Sequence, residues 1–251
     1  MSAPSGRYRA LLFDLFRTVL FFNPQAPTGQ VHEATWRGAM TALRHQFEPL
    51  LAGTPFDAFL DALVAASDEI ARARAPEYFE VPIAERYGRA LMRLGCARAS
   101  ATEIAPRLAQ IQLAAQVANT ELPPAHGELL RSLAARHRLA LVSNFDDAAA
   151  GRAVMARHGL DRVFASAVIS IEHGRRKPHA AIFEGALRGL GVEAHDALFI
   201  GDSPVEDVGG AHAVGLATAW LNVAGTPLPA GVPQPTFVLR RLSDLEQLLG
   251  G

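Results

Sequence analysis

The apolar run Ala10-Leu11-Leu12-Phe13 breaks off at Asp14, the pattern of a buried parallel strand that delivers a carboxylate to a sheet edge. Prolines at Asn23-Pro24 and Ala26-Pro27 then interrupt regular structure. From Val31 to Val117 the apolar positions fall at helical spacing. Val31, Trp36, Met40, Leu43 and Phe47 form one stripe, and Phe56, Phe59, Leu60, Leu63 and Ile70 a second, which Thr54-Pro55 opens as N-cap and first-turn proline. Ile83, Tyr87, Leu91 and Leu94 form a third, closed by Gly95. Ser100 and Glu103 make a capping box before a fourth helix through Ile104, Leu108 and Ile111. This block predicts about four helices and no strand.

Past Pro123-Pro124 the pattern alternates. A helix at Leu129–Leu133 precedes a strand at Leu139–Val142. A helix at Ala148–His158 precedes a strand near Val168–Ser170. Then come a helix at Ala181–Leu190, a strand at Leu198–Ile200, one helix at Val205–Val214, a strand at Ala217–Leu221 and a terminal helix at Ser243–Leu249. Strand–helix alternation at this spacing predicts an α/β fold, a Rossmann-like parallel sheet with right-handed crossovers. The expected organisation is therefore a discontinuous core, residues 1–22 and 119–251, with a helical domain inserted at 23–118. The Gly209-Gly210 pair inside a helix pattern reads as close helix packing.

Composition narrows the function. The chain has 251 residues, with 24 Lys+Arg against 25 Asp+Glu, and the near-neutral balance argues against nucleic-acid or anionic-membrane partners. No apolar run reaches the roughly 18 residues of a membrane span, and the small, polar start does not resemble a signal peptide. A single cysteine, Cys96, excludes an internal disulfide and any cysteine-cluster metal site. The expectation is a cytoplasmic protein acting on a small molecule, with oxygen ligands for any metal.

Three expected strand ends deliver polar groups: Asp14, Ser143-Asn144 and Asp202. Ligands of open parallel sheets bind outside the carboxyl ends of the strands, so these groups converge. Lys177-Pro178 lies in a loop that could reach the same crevice. Taken alone, Ser143-Asn144 reads equally as a turn and Lys177 as a solvated loop residue. Asp202 and Asp207 add two carboxylates to Asp14, a crowding that calls for a cation, and hard oxygen donors suit Mg²⁺.

The segments Phe13-Asp14-Leu15-Phe16-Arg17-Thr18, Val142-Ser143-Asn144, Lys177-Pro178 with Ile182-Phe183, and Gly201-Asp202-Ser203 through Asp207 resemble the haloacid dehalogenase superfamily. The likeness is to members with a helical cap inserted after the first strand. The resemblance implies Asp14 as nucleophile, Thr18 as a hydrogen-bonding support of its loop and Lys177 as a fixed positive charge. Ser143, with backbone N–H groups near Asn144, would bind substrate oxygens. It implies Mg²⁺ held by Asp14, the backbone carbonyl of Phe16 and Asp202, with Asp207 as a further ligand, an orienter or the hydrolytic base. Substrate would meet Phe16, Arg17, Ser143 and Asn144 beneath a closing cap.

One position departs from the phosphatases of that superfamily. Where they carry a second Asp, two residues after the nucleophile, this chain has Phe16, which transfers no proton. An aromatic there resembles the L-2-haloacid dehalogenases, whose halide leaves without one, and in that branch Arg37, with Arg44 as a rival, would hold the substrate carboxylate or help receive the halide. Asp202 points the other way, since a metal-free dehalogenase needs no acid there and a buried carboxylate is costly without a partner. The expectation is a Mg²⁺-dependent phosphatase favouring good leaving groups. A metal-independent haloacid dehalogenase is the first alternative, and a weakly active or non-catalytic phospho-ligand-binding or interaction protein the second.

Overall fold

A computed structural model describes residues 8–22 and 32–250, with the side chains of 32–35 left undescribed. In chain order the elements are β1 (Ala10–Phe13), β2 (Phe21–Phe22), α1 (His32–Ala42), α2 (Arg44–Phe47), α3 (Phe56–Arg72), α4 (Ile83–Arg93), α5 (Arg98–Ala118) and β3 (Thr120–Glu121). There follow α6 (Pro124–Ala134), β4 (Arg138–Ser143), α7 (Ala148–Arg157), β5 (Ser166–Ile169), α8 (Ser170–His173), α9 (Ala180–Leu190) and β6 (Ala197–Gly201). A π-helical turn (Pro204–Gly209), α10 (Gly210–Ala213), β7 (Ala217–Leu221), β8 (Phe237–Leu239) and α11 (Asp244–Leu249) complete the chain. The described residues divide into two compact units. One draws on the spans Met1–Phe21, Leu122–Phe145 and Met155–Gly251, and the other on Phe22–Glu121 and Asp146–Val154.

The first unit is built on a six-stranded, all-parallel sheet in the order β5-β4-β1-β6-β7-β8. The chain builds outward from β1 in one direction through β4 and β5, then returns to β1 and builds in the other through β6. That reversal opens a crevice at the carboxyl ends of β1, β4 and β6, the place where such sheets bind ligands. β1 is fully buried on both faces, so its four apolar residues need no polar alternation. On one face Leu12, Val142 and Phe199 pack against Ile182, Phe183 and Ala186 of α9, and the Phe183 and Phe199 rings meet edge-to-face at 5.1 Å. On the other face Phe13 meets Phe164 at 6.0 Å. Each such buried side chain contributes about 1.5–3 kcal/mol.

The second unit is helical. Phe47, Phe56, Phe59 and Tyr87 cluster with ring centroids 5.8–6.3 Å apart. The buried Tyr87 hydroxyl donates to Gln112 Oε1 at 2.6 Å, which meets the need of a polar atom out of reach of water. In the segment Asp146–Val154, which groups with this unit, Asp146 forms an ion pair with Arg86. Among the described residues no helix is long and apolar enough to cross a membrane.

Several local expectations are corrected. The fourth helix starts at Arg98 rather than at a Ser100–Glu103 capping box, because Ser100 and Glu103 already lie inside the turns that follow Ala97. The second starts at Phe56, with Pro55 rather than Thr54 at the N-cap. The single helix expected at Val205–Val214 is instead a π turn followed by one α turn, with the Val208 amide reaching back to the Ser203 carbonyl. The pattern gave no sign of β8, three residues after a proline-rich loop. It pairs with β7 through Ala219↔Phe237, and Asn222 adds one more hydrogen bond to Leu239 O.

Gly210 does serve close packing. A Cβ there would lie 2.7 Å from the Phe183 ring and 2.9 Å from Pro178 Cα. Gly209 has no such neighbour, with nothing nearer than the Pro204 carbonyl at 3.6 Å. We therefore expect Gly210→Ala to lose about 1–3 kcal/mol of unfolding free energy, the usual cost of overpacking. Urea denaturation reads this, and an unchanged midpoint would contradict it.

Candidate active site

The site begins where β1 ends. Asp14 N donates to Ile200 O of β6 at 2.9 Å, which extends the ladder by one residue and fixes the start of the Asp14 side chain. The chain then turns back, with the amides of Val19 and Leu20 both donating to Leu15 O at 2.9 Å. This turn puts Arg17 at φ 65°, the left-handed region that favours glycine.

Lys177 arrives from the loop between α8 and α9. Its side chain is 1% exposed and its ammonium lies 2.5 Å from Asp14 Oδ1 and 2.8 Å from Asp207 Oδ1. The same ammonium sits 5.4 Å from the centre of the Phe199 ring. Burial alone would push the lysine pKa down, but the Asp14 and Asp207 carboxylates outweigh that and hold it above the ordinary lysine range. Asn144 secures the loop's backbone from both sides. Its Oδ1 accepts from Lys177 N at 2.8 Å and its Nδ2 donates to Lys177 O at 3.1 Å. The sequence reading gave Asn144 only a substrate-facing role, and a Ser-Asn pair carries no signal of a partner 33 residues away.

Asp207 is buried beneath Gly201. Oδ2 accepts from Ser203 N at 2.8 Å and Oδ1 faces Lys177. A Cβ on Gly201 would lie within 2.3 Å of Asp207 Oδ2, so only glycine leaves room for that carboxylate. Burial, ahead of the opposing pull of Lys177, pushes the Asp207 pKa up.

Asp202 follows β6, its backbone carbonyl accepting from Trp220 Nε1 at 3.0 Å. Burial first, and then the Asp14 charge, push its pKa up to about 6. Ligand atoms of Asp14, Asp202 and Asp207 all lie within 4.8 Å of one another. An all-oxygen set of three carboxylates at this spacing fits a hard divalent cation. Asp202 also has a partner within the chain: Arg17 Nε lies 3.0 Å from its Oδ2.

The remaining expected residues divide. Ser143 Oγ is buried at the end of β4 with no hydrogen-bond partner among the described residues. Thr18 is fully buried too, but the hydrogen bond expected of it is absent, since Oγ1 finds no partner among the described residues. Packing fills its position instead. Phe16 is half-buried and stacks on Phe145, with centroids 5.3 Å apart and planes 22° apart. Arg37 lies on α1 in the helical unit, where its guanidinium donates to Asp61 Oδ1 at 2.8 Å.

Asp202 carries a pH signature. An acid whose pKa is raised by folding binds its proton more tightly in the folded state, so stability falls as pH rises from the ordinary carboxyl range to past about 6. In EDTA, Asp202→Asn should therefore gain stability relative to the parent between about pH 4 and pH 7, by up to ~3 kcal/mol. A constant difference across a series of melting curves at those pH values would contradict this.

A profile of haloacid dehalogenase-like hydrolases matches residues 8–215. Pyrimidine 5′-nucleotidase YjjG of Escherichia coli K12 is 35% identical over 131 residues, 52% of this chain and 57% of that protein. Glyceraldehyde 3-phosphate phosphatase of Pyrococcus abyssi is 33% identical over 102 residues, 41% of this chain and 42% of that protein. This chain thus matches only about half the length of these two relatives. The crystal structure of a 2-haloacid dehalogenase from Pseudomonas syringae pv. Tomato DC3000 superposes with a TM-score of 0.72 at 24% identity, over 97% of this chain and 98% of that one, a likeness of fold.

Proposed function

The chain belongs to the haloacid dehalogenase-like hydrolases, and on that premise we propose that it is a Mg²⁺-dependent phosphatase of a small phosphorylated metabolite. The observation that carries this reading is Asp202, which stands within 4.8 Å of Asp14 and Asp207, at a position where a metal-free dehalogenase would need no acid. The phosphatase and nucleotidase names of the relatives above agree with it. A cation held by Asp14, Asp202 and the Phe16 carbonyl would supply neutralisation of phosphoryl charge, so that a dianion could approach an anionic nucleophile.

The chain's own residues do the rest. Lys177 grips Asp14 Oδ1 and so aims the carboxylate. Asp14 Oδ2 attacks phosphorus, an Asp14–phosphorus bond forms, the ester P–O bond breaks, and its electron pair leaves on the alcohol oxygen. The Ser143 hydroxyl, without a partner among the described residues, donates to a phosphoryl oxygen. Water then attacks phosphorus, releasing phosphate and restoring Asp14. Asp207 has one oxygen on Ser203 N and the other against Lys177, so it is a positioning residue for Lys177 and not the hydrolytic base. Phe16 offers no proton to the departing oxygen, so the leaving group departs as an anion. The helical insertion, residues 23–118, is read as the family's cap domain. Phe16 also favours a second reading, halide displacement from an L-2-haloacid, in which no leaving-group proton is needed.

We expect p-nitrophenyl phosphate hydrolysis that requires Mg²⁺, is abolished by EDTA and is lost in Asp14→Asn. Metal-independent chloride release from L-2-chloropropionate would establish the second reading instead. Neither activity, with retained binding of a phosphorylated ligand, would make the protein a binder. A further expectation concerns Phe16. The rate should fall steeply as the leaving group becomes more basic, and Phe16→Asp should raise turnover of alkyl phosphates by about 10²-fold or more, the usual worth of general acid catalysis. Equal rates on aryl and alkyl phosphates would contradict this.

A further inference from the structure

Arg17 stands at a backbone position that disfavours it. Its φ of 65° lies where glycine is at home and a side chain costs energy. Here the side chain is a guanidinium, 3.0 Å from Asp202 Oδ2. Arg17 is 60% exposed and Asp202 20% exposed, so the arginine closes the acidic cluster from its solvent side.

The three carboxylates are therefore not waiting unpaired. Lys177, which is buried, serves Asp14 and Asp207, and Arg17, which is exposed, serves Asp202. The two cations differ in how they are held. Lys177 is walled in by two carboxylates and the Phe199 ring. The ion-pair partner of Arg17 is Asp202, across a partly exposed contact of the kind that is readily broken. A guanidinium also matches a phosphoryl group through two parallel N–H donors. Arg17 lies three residues from Asp14, and Asp202 lies within 4.8 Å of Asp14, so a rotation of its side chain takes the guanidinium from one anion to another.

We propose that Arg17 is an exchangeable counter-ion: it neutralises Asp202 in the resting site, yields that carboxylate to the divalent cation, and turns to bind the phosphoryl group of the substrate. The proposal rests on the phosphatase reading above. It predicts effects of opposite sign from one substitution. Removing the guanidinium removes a competitor for Asp202, so the cation binds more tightly. It also removes a phosphate donor, so the anion binds more weakly.

The test is calorimetric titration of the full chain and of Arg17→Gln, first with Mg²⁺ alone and then with inorganic phosphate in saturating Mg²⁺. Arg17→Gln should bind Mg²⁺ about two- to fivefold more tightly, the factor by which a partly exposed ion pair holds its closed form. It should bind phosphate at least about fivefold more weakly, the worth of a charge-assisted hydrogen bond. A second readout is the Arg17 Nε–H NMR resonance, which should lose its exchange protection as Mg²⁺ is added. Arg17→Gly, suited to the positive φ, repeats the titrations should the glutamine variant fold poorly. Mg²⁺ affinity equal in parent and variants, or both affinities moving the same way, overturns the exchange alone. No Mg²⁺ binding by any of these proteins overturns the phosphatase reading and the exchange with it.

Discussion

A lysine ammonium buried among carboxylates holds the site together. Lys177 is enclosed, and a charge in such a place is tolerable only when opposite charges meet it directly. Asp14 and Asp207 meet it at 2.5 and 2.8 Å, and the face of Phe199 covers it. Each of these partners comes from a different element, so the ammonium ties the end of β1, the π turn and β6 to the loop before α9. Breaking such a buried pair by removing one partner costs about 3–5 kcal/mol. The surrounding polar contacts fall into place around that need. Asn144 clamps the lysine backbone on both sides, Ser203 N fixes the far oxygen of Asp207, and Gly201 leaves the space in which that carboxylate lies.

Charge balance in the crevice follows from the same constraint. Lys177 answers two carboxylates and leaves the third, Asp202, to something else. Burial and the Asp14 charge make Asp202 a reluctant anion. Arg17 eases that from the solvent side at some backbone cost. A site assembled in this way has a permanent cation deep inside and a replaceable one at its mouth. That division suits chemistry in which an anionic substrate must enter past an anionic nucleophile. The aromatic pair Phe16 and Phe145 replaces proton-transfer chemistry with packing on one side of the crevice, so the proposed reaction depends on charge stabilisation more than on acid catalysis.

Much of this arrangement was legible in the chain. Ala10–Phe13 is apolar without alternation because β1 is buried on both faces, and Asp14 ends it because the sheet ends there. The alternation after Pro124 records β4 through β7, motifs near Asp14, Ser143 and Asp202 sit where strands of a parallel sheet deliver them, and Lys177 reaches them from the loop before α9. Short and edge elements were not legible. β8 has three residues and pairs with a single neighbour, and the π turn differs from an α turn by hydrogen bonds that residue pattern does not encode. Nor was the role of Thr18 legible. A threonine beside a motif invites a hydrogen bond, and here its hydroxyl is buried with no partner among the described residues.

The sequence by itself determined the family, the fold class and the strand ends at which polar groups stand, because periodicity and motif spacing are local properties of the chain. Only the tertiary structure decided how the charges pair. Asp14 lies 163 residues from Lys177, and Arg17 and Asp202 are likewise distant in the chain, at 3.0 Å in space. Which cation answers which carboxylate depends on the order of strands in the sheet and on the burial of each group. A linear pattern shows that acids and bases are present; the distances between them, and therefore their energies, exist only once the chain has folded.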